Sequence, residues 1–179
     1  KPLRIVYLTN VGGSYNMLGE TLRLTREVLL EVSDFRRENC PLSALTLGVK
    51  CGTSDATSGI AGNPCVGAAF DQLIRAGGTA FFSETTEIIG AEDLVANRAV
   101  NESVAKKILS AARHWEDKAK ATGEDIRKIN PIPANIAAGI SSLEEKSLGA
   151  IAKSGTSPIQ DVLKYAEMPK GSGLYFVDS

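Results

Sequence analysis

The sequence contains one histidine, His114, and three cysteines, Cys40, Cys51 and Cys65. A single histidine excludes a histidine-rich zinc site, and it leaves His114 as the only imidazole in the chain for a Ser-His-Asp or Cys-His catalytic group. His114 falls outside the apolar stripe of its predicted helix, so we expect it on a solvated edge, which disfavours triad hydrolase chemistry. The odd number of cysteines, without C-x-x-C spacing, argues against a disulfide framework or a zinc ribbon and indicates a reduced, cytoplasmic protein.

The chain also has no excess of either charge, no long apolar run and no nucleotide-binding motif. Lys and Arg number 20 and Asp and Glu 21, so we expect no nucleic-acid partner, which would favour a basic surplus. No apolar run approaches the roughly 18 residues of a membrane span, so we expect no membrane association. Neither G-x-G-x-x-G nor G-K-[ST] occurs, so dinucleotide and P-loop sites are unsupported. With 43% hydrophobic residues among 179, the chain can build the core of one domain.

Strand-like and helical segments alternate along the sequence. This alternation predicts a single α/β domain over residues 1–179, a three-layer Rossmann-like fold with a mostly parallel sheet. Residues 122–141 are interrupted by glycine and proline and have no apolar period, which predicts a long irregular loop. The predicted strands are 5–9, 45–49, 79–83 and 173–177, and helices are predicted to begin near Ser14, Asn63 (as N-cap), Ala91, Asn101 (as N-cap), Ser142 (in a capping box with Glu145) and Ser157.

Ligands of α/β proteins collect beyond the carboxyl ends of the strands, and three segments are predicted to lie there. We interpret the first, Gly12–Ser14, as a plain tight turn. The second, residues 51–64, is rich in glycine and small hydroxyl residues and carries Cys51 and Asp55. This composition is equally typical of a site for an oxygen-rich ligand and of an exposed loop stabilised by local side-chain hydrogen bonds.

The third segment follows the predicted strand 79–83 and is acidic. A carboxylate such as Glu84 at the end of a strand can ligate a hard cation or act as a base, although an ordinary loop charge is also consistent with this position. Glu87, Glu92 and Asp93 extend the acidic cluster, and solvated surface is sufficient to explain them.

Three long strings in the sequence resemble the altronate/galactarate dehydratase family. They are CGTSDATSGIAGNPCVGAA (51–69), where the family commonly has CGGSDATSGIAxNP, GGTAFFSETTEIIGAEDL (77–94) and EEKSLGAIAKSGTSPIQDVL (144–163). The resemblance implies a cytoplasmic lyase that removes water from a sugar acid such as altronate or galactarate. The implied reaction is α-proton abstraction and β-elimination, assisted by Fe(II) or another divalent ion such as Mn or Mg. A related branch eliminates sulfite from sulfolactate, a sulfonated hydroxy acid.

The chain departs from the family pattern at two positions. Asp93 stands where members often have a histidine, and Ile136 stands where the dehydratases often have a lysine. Losing that lysine removes a cation that can hold a substrate carboxylate, so a sulfolactate-type reaction or another acid stays open. Full-length relatives extend on both sides of the resemblance. The resemblance therefore implies that the partner is the remainder of a parent enzyme or a second subunit, and that the protein forms a homo-oligomer. The alternative is a non-catalytic scaffold or dimerisation domain of such an enzyme.

The implied chemistry assigns candidate roles to individual side chains. A lysine can hold a substrate carboxylate or act as a base, and a mixture of soft and hard donors suits Fe(II). The candidate catalytic residues are Lys146, Glu84 and Lys153, the candidate substrate-binding residues are Ser54, Thr57, Asn63 and Asn135, and the candidate metal ligands are Cys51, Asp55 and Glu84.

Overall fold

A computed structural model describes residues 2–179, which form two compact units with a boundary after Cys40. The first unit contains a one-turn helix, α1 (Leu8–Val11), and a long helix, α2 (Ser14–Ser33). The tight turn predicted between them is confirmed, since Gly12 and Gly13 both have positive φ. The strand predicted at 5–9 is wrong. A segment with strand propensity forms a strand only where a neighbouring strand supplies hydrogen bonds. Residues 2–40 contain no strand with which residues 5–9 could pair.

The second unit is built on one four-stranded sheet. Its strands are β1 (Thr46–Val49), β2 (Thr79–Phe82), β3 (Ile159–Lys164) and β4 (Gly173–Asp178). They are ordered β1-β2-β4-β3, and every neighbouring pair is parallel. The predicted α/β, Rossmann-like class with a parallel sheet is thus confirmed. The carboxyl ends of all four strands lie at one edge of the sheet.

The helices of the second unit pack around this sheet. The core is formed by Phe70, Phe82, Ile108, Leu174 and Phe176, all at most 2% exposed. The helices are α3 (Asn63–Arg75), α4 (Glu92–Ala96), α5 (Glu102–Ala121), α6 (Ile126–Ile129), α7 (Pro133–Ala137) and α8 (Leu143–Ala152). Among residues 2–179, none of these or of the earlier helices combines the length and hydrophobicity that crossing a membrane requires.

The observed helices test three local predictions, namely the two helix caps and the irregular loop. Asn101 caps α5 as predicted, because its side chain accepts a hydrogen bond from Val104 N at 3.0 Å. Ser142 caps α8, but Glu145 reaches back to Ser141 rather than to Ser142, so only half of the capping box forms. The irregular loop predicted at 122–141 is wrong in part, because α6 and α7 lie within it as single turns too short to show a period.

The helix predicted after Ser157 is also wrong, because this segment forms β3. Ile159 and Leu163 are at most 3% exposed, whereas Gln160 between them is exposed. For such a short segment, the tertiary contacts determine whether a strand or a helix forms. Here β4 supplies the hydrogen bonds of a neighbouring strand, which favours the strand.

Candidate functional site

The ends of β1 and β2 are joined by Glu84. Its Oε2 accepts a hydrogen bond from the backbone N–H of Cys51 at 2.5 Å, and its Oε1 lies 3.2 Å from Lys50 Nζ. Glu84 has a φ of 75°, a left-handed conformation that costs a non-glycine residue on the order of 1–3 kcal/mol. The surrounding contacts therefore hold Glu84 in place as a link between the two loops.

The end of β4 is connected to the same edge through Thr85. Thr85 Oγ1 donates to Asp178 Oδ1 at 2.7 Å, and Thr85 N donates to Ser179 O at 3.1 Å. Trp115 Nε1, from α5, donates to the same Asp178 oxygen at 2.8 Å. Hydrogen bonds consequently join the loops after β1 and β2 to each other and to the end of β4.

Residues 51–62, here called the signature loop, fold back onto α7. Cys51 and Ser54 are buried, with Cys51 Sγ 3.3 Å from Ser54 Oγ. Asn135, 3% exposed on α7, donates from Nδ2 to Ser54 O at 3.0 Å, and Ala56 N donates to Ala138 O at 3.2 Å. The structure thus brings together two of the predicted substrate-binding residues, Ser54 and Asn135.

Asn63 attaches the end of the signature loop to α8. Its Nδ2 donates to Gly149 O at 2.8 Å. Asn63 is not the N-cap that the sequence predicts: a π-helical turn (Ser58–Gly62) runs directly into α3, so Asn63 already has helical φ and ψ of −66° and −44°. An N-cap residue needs an extended backbone, which this turn removes.

Asp55 and Thr57 are engaged with each other inside the signature loop. The Asp55 carboxylate accepts hydrogen bonds from Thr57 Oγ1 at 2.7 Å and from Ser58 N at 2.9 Å. The bond from Thr57, followed by that from the Ser58 backbone, holds the pKa of Asp55 below its usual value. These two side chains stabilise the conformation of the loop.

The three predicted metal ligands do not converge. Within residues 2–179, no group of three Cys, His, Asp or Glu side chains is placed to hold a metal ion. Cys51 Sγ contacts Ser54 Oγ, and the Asp55 carboxylate accepts a hydrogen bond from Thr57 within the signature loop. A facial-triad Fe(II) site takes three protein donors, so the donor set here does not fit a complete iron site.

Lys146, on α8, lines cavities together with residues of the signature loop and of α7. Its side chain is 9% exposed, and Nζ donates to Asn130 Oδ1 at 2.7 Å and lies 3.4 Å from Glu87 Oε1. It lines two cavities. The asparagine cavity, of about 450 Å³, is also lined by the polar or small residues Gly52, Thr53, Thr86, Glu87, Asn130 and Asn135 and by the apolar residues Ile126, Ile129 and Ile132. The serine cavity, of about 290 Å³, is lined among others by Ser54, Asp55, Ser58 and Asn63.

Lys153 lies on the inner side of Glu87. It is 4% exposed at the end of α8, and it lines with Glu87 a space of about 10 Å³ next to Phe82. Glu87 Oε2 is buried and has no hydrogen-bond partner within residues 2–179. Of the two alternatives that the sequence leaves open for Glu87, solvated surface therefore does not apply. Its position in the loop that directly follows a buried strand is the signal that could have identified it.

The remaining residues that the sequence singled out lie on the surface. His114 is exposed on α5, as predicted. Asp93 and Ile136, which depart from the family pattern, are both exposed on short helices.

Comparison with known proteins identifies relatives of this chain. Residues 42–179 match the family described as D-galactarate/Altronate dehydratase, C-terminal. Galactarate dehydratase (L-threo-forming) of Escherichia coli is 42% identical over 92% of the chain, and altronate dehydratase of Bacillus subtilis is 42% identical over 84%. The beta subunit of (2R)-sulfolactate sulfo-lyase of Chromohalobacter salexigens is 39% identical over 93%. The chain spans 31%, 30% and 43% of these relatives, respectively.

Proposed function

Because the chain belongs to the D-galactarate/altronate dehydratase family, we propose that it forms part of a lyase that removes water from a sugar acid such as galactarate or altronate. In this reaction the proton α to a carboxylate is removed and the β-hydroxyl group departs. The observation that carries the proposal is the Lys146 side chain, only 9% exposed, in the wall of the asparagine cavity.

The asparagine cavity is suited to a small polyhydroxy carboxylate. Its volume of about 450 Å³ falls in the range of small-molecule sites. The Lys146 ammonium group can pair with a carboxylate, and the amides of Asn130 and Asn135 can both donate to and accept from alcohols. The hydroxyls of Thr53 and Thr86 add two further groups of this kind.

Lys146 has two roles in this proposal. It holds the substrate carboxylate, and it faces the negative charge that develops on that carboxylate when the α-proton leaves. A fixed cation in a site with little water stabilises such charge strongly, because no solvent has to reorganise. Glu84, at the end of β2, and Lys153, at the end of α8, are the other predicted catalytic residues, and neither lines the asparagine cavity.

Asn135 lines the asparagine cavity and Ser54 lines the serine cavity. Asn135 Nδ2 donates to Ser54 O, and Asn135 Oδ1 accepts a hydrogen bond from Ile132 N at 3.3 Å. Asn63 and Thr57 contribute by fixing the signature loop through the hydrogen bonds described above. Substrate contact by these four residues remains a prediction.

The related sulfo-lyase reaction is the second candidate. It is supported by the 39% identity to the sulfolactate sulfo-lyase subunit and by Ile136, which supplies no cation of the kind many dehydratases have there. A non-catalytic part of a larger enzyme is the third, supported by the 30–43% of the relatives' length that the chain spans.

These candidates are separated by one assay. The purified chain is incubated anaerobically, with and without Fe(II), with galactarate, altronate or sulfolactate, and 2-keto acid and sulfite are measured. We expect keto acid without sulfite from a sugar acid. We further expect Lys146→Met to lower kcat/KM at least about 100-fold, because a buried charge partner of the substrate is lost.

Lys128→Met is the matched control, because Lys128 is 82% exposed and its removal leaves both cavities intact. Equal activity of Lys146→Met and Lys128→Met would contradict the assignment of Lys146. Release of sulfite would favour the sulfo-lyase candidate. Activity only in a longer protein that contains this chain would favour the non-catalytic role.

A further inference from the structure

We infer that Glu87 is the residue that removes the α-proton of a carboxylic acid bound in the asparagine cavity. This inference rests on the proposed function and adds to it a catalytic residue that is not among the candidates named from the sequence. Glu87 lies on the 3-10 turn Thr85–Glu87, directly after β2, with its carboxylate between α8 and the cavity.

The two oxygens of Glu87 are in different situations. Oε1 lies 3.4 Å from Lys146 Nζ, whereas Oε2 is buried and accepts no hydrogen bond from residues 2–179. A buried carboxylate oxygen without a donor is costly to the folded protein. Oε2 has no accessible surface, so a ligand in the asparagine cavity reaches the Glu87 carboxylate through Oε1. Glu87 therefore presents Oε1 as a proton acceptor beside the ammonium group that would hold the substrate.

Neighbouring carboxylates are placed differently. Glu84 binds the Cys51 N–H through one oxygen and pairs with Lys50 through the other. Glu145 accepts from the N–H and the Oγ of Ser141 at the exposed start of α8. Of these three carboxylates, only Glu87 lines the asparagine cavity.

The charged side chains around Glu87 also favour the binding of an anion. Lys146 lies on one side of the Glu87 carboxylate, and Lys153, itself 4% exposed, lines the small space on its inner side. Two lysine side chains thus lie near the single carboxylate of Glu87, an arrangement that favours an anionic ligand. A substrate carboxylate held by Lys146 would be bound next to Glu87, with its α-carbon within reach of the same cavity wall.

The elimination balances without any further reagent. The Cα–H bond breaks, its proton passes to Glu87 Oε1, and its electron pair moves onto the substrate carboxylate, whose charge faces Lys146. The electron pair then returns to form a double bond between Cα and Cβ, and the Cβ–O bond breaks. The departing hydroxide takes the proton from Glu87 and leaves as water, and the remaining enol becomes the 2-keto acid. Nothing is oxidised or reduced, and Glu87 regains its starting form.

A purely structural ion pair between Glu87 and Lys146 is the competing explanation, and Glu87→Gln distinguishes the two. Glutamine keeps the size of the side chain and an oxygen toward Lys146, but it cannot accept the proton. We expect kcat for the sugar acid that the wild-type chain converts to fall at least about 100-fold, the usual contribution of a general base. Binding of the same acid, measured by titration calorimetry, should be unchanged or several-fold tighter, because an anion that competes for Lys146 is removed.

The matched control is Glu102→Gln, which removes one carboxylate from an exposed ion pair with Lys106 and should leave kcat unchanged. A Glu87→Gln chain that keeps more than a tenth of the wild-type kcat would overturn the inference and leave the proposed function standing. Loss of binding together with activity would assign Glu87 a structural role and likewise overturn it. A wild-type chain that converts no acid of the panel would remove the proposed function, and this role with it.

Discussion

At the scale of single residues, Asp71 ties α3 to the segment that leads into β3. Its carboxylate accepts hydrogen bonds from the backbone N–H and the hydroxyl of both Thr156 and Ser157, at 2.6 to 3.0 Å. Partial burial raises the pKa of Asp71, but the bonds from Ser157 and Thr156 outweigh it and hold the pKa below its usual value. Arg98, which binds Ser154 and Ser157 O, reinforces the same segment.

We predict that Asp71→Asn lowers the free energy of unfolding by about 2 kcal/mol at pH 7, the range for hydrogen bonds to a charged group. Because the pKa is lower in the folded state, the carboxylate stabilises the fold above its unfolded pKa of about 3.9. That stabilisation is lost as the pH falls through the folded pKa. Urea denaturation from pH 7 to pH 2 should therefore show the difference between wild type and Asp71→Asn shrinking below about pH 4. A difference that is constant with pH would contradict this assignment.

At the scale of elements, the signature loop and α3 depend on a close approach to α8 and the turn that follows it. A Cβ atom on Gly67 of α3 would lie 2.2 Å from Ala152 O and 2.8 Å from Gly155 N, both backbone atoms. Gly59 and Gly149 meet in the same way, since a Cβ on Gly149 would lie 3.1 Å from Gly59 Cα. The glycines of this family pattern therefore bring backbones together and position Lys146 beside the signature loop.

We predict that Gly67→Ala lowers the free energy of unfolding by about 3 kcal/mol, because a backbone carbonyl cannot move aside as a side chain can. Gly62→Ala is the matched control. Gly62 has helical φ and ψ of −62° and −53°, and a Cβ there meets nothing within 4 Å. It should leave stability unchanged or raise it by up to about 1 kcal/mol. Thermal and urea unfolding of the two variants provide the measurement, and equal stabilities would contradict the close-packing explanation.

Elements were predictable from the sequence where the local pattern and the tertiary contacts agree. α3, α5 and α8 follow their apolar periods, and β2 and β4 follow their apolar runs. β3 and the segment 5–9 have comparable strand propensity, yet only β3 has a neighbour to pair with. The position of Glu87 likewise depends on α8 passing over the end of β2, a contact between segments about 60 residues apart that no local pattern contains.

At the scale of the whole molecule, the candidate site lies in one of the two compact units. The second unit, residues 41–179, almost coincides with the family match at 42–179. Its sheet, signature loop, Lys146, Glu87 and both asparagines of the asparagine cavity are all supplied from within that range. The hydrophobic core is likewise formed entirely by residues of this unit.

We therefore predict that residues 41–179 fold without residues 1–40 and keep the ligand affinity of the full chain. The shortened chain should give a single cooperative transition in thermal circular dichroism, because its core is complete. Its dissociation constant for the acid that the full chain binds should lie within about twofold of the full-chain value, because no cavity-lining residue is removed. Lys146→Met should weaken that binding in the shortened chain and in the full chain alike, because Lys146 holds the substrate carboxylate in the proposed function. A broad, non-cooperative melt, or a loss of affinity with folding intact, would show that the first unit contributes to the core or to the site.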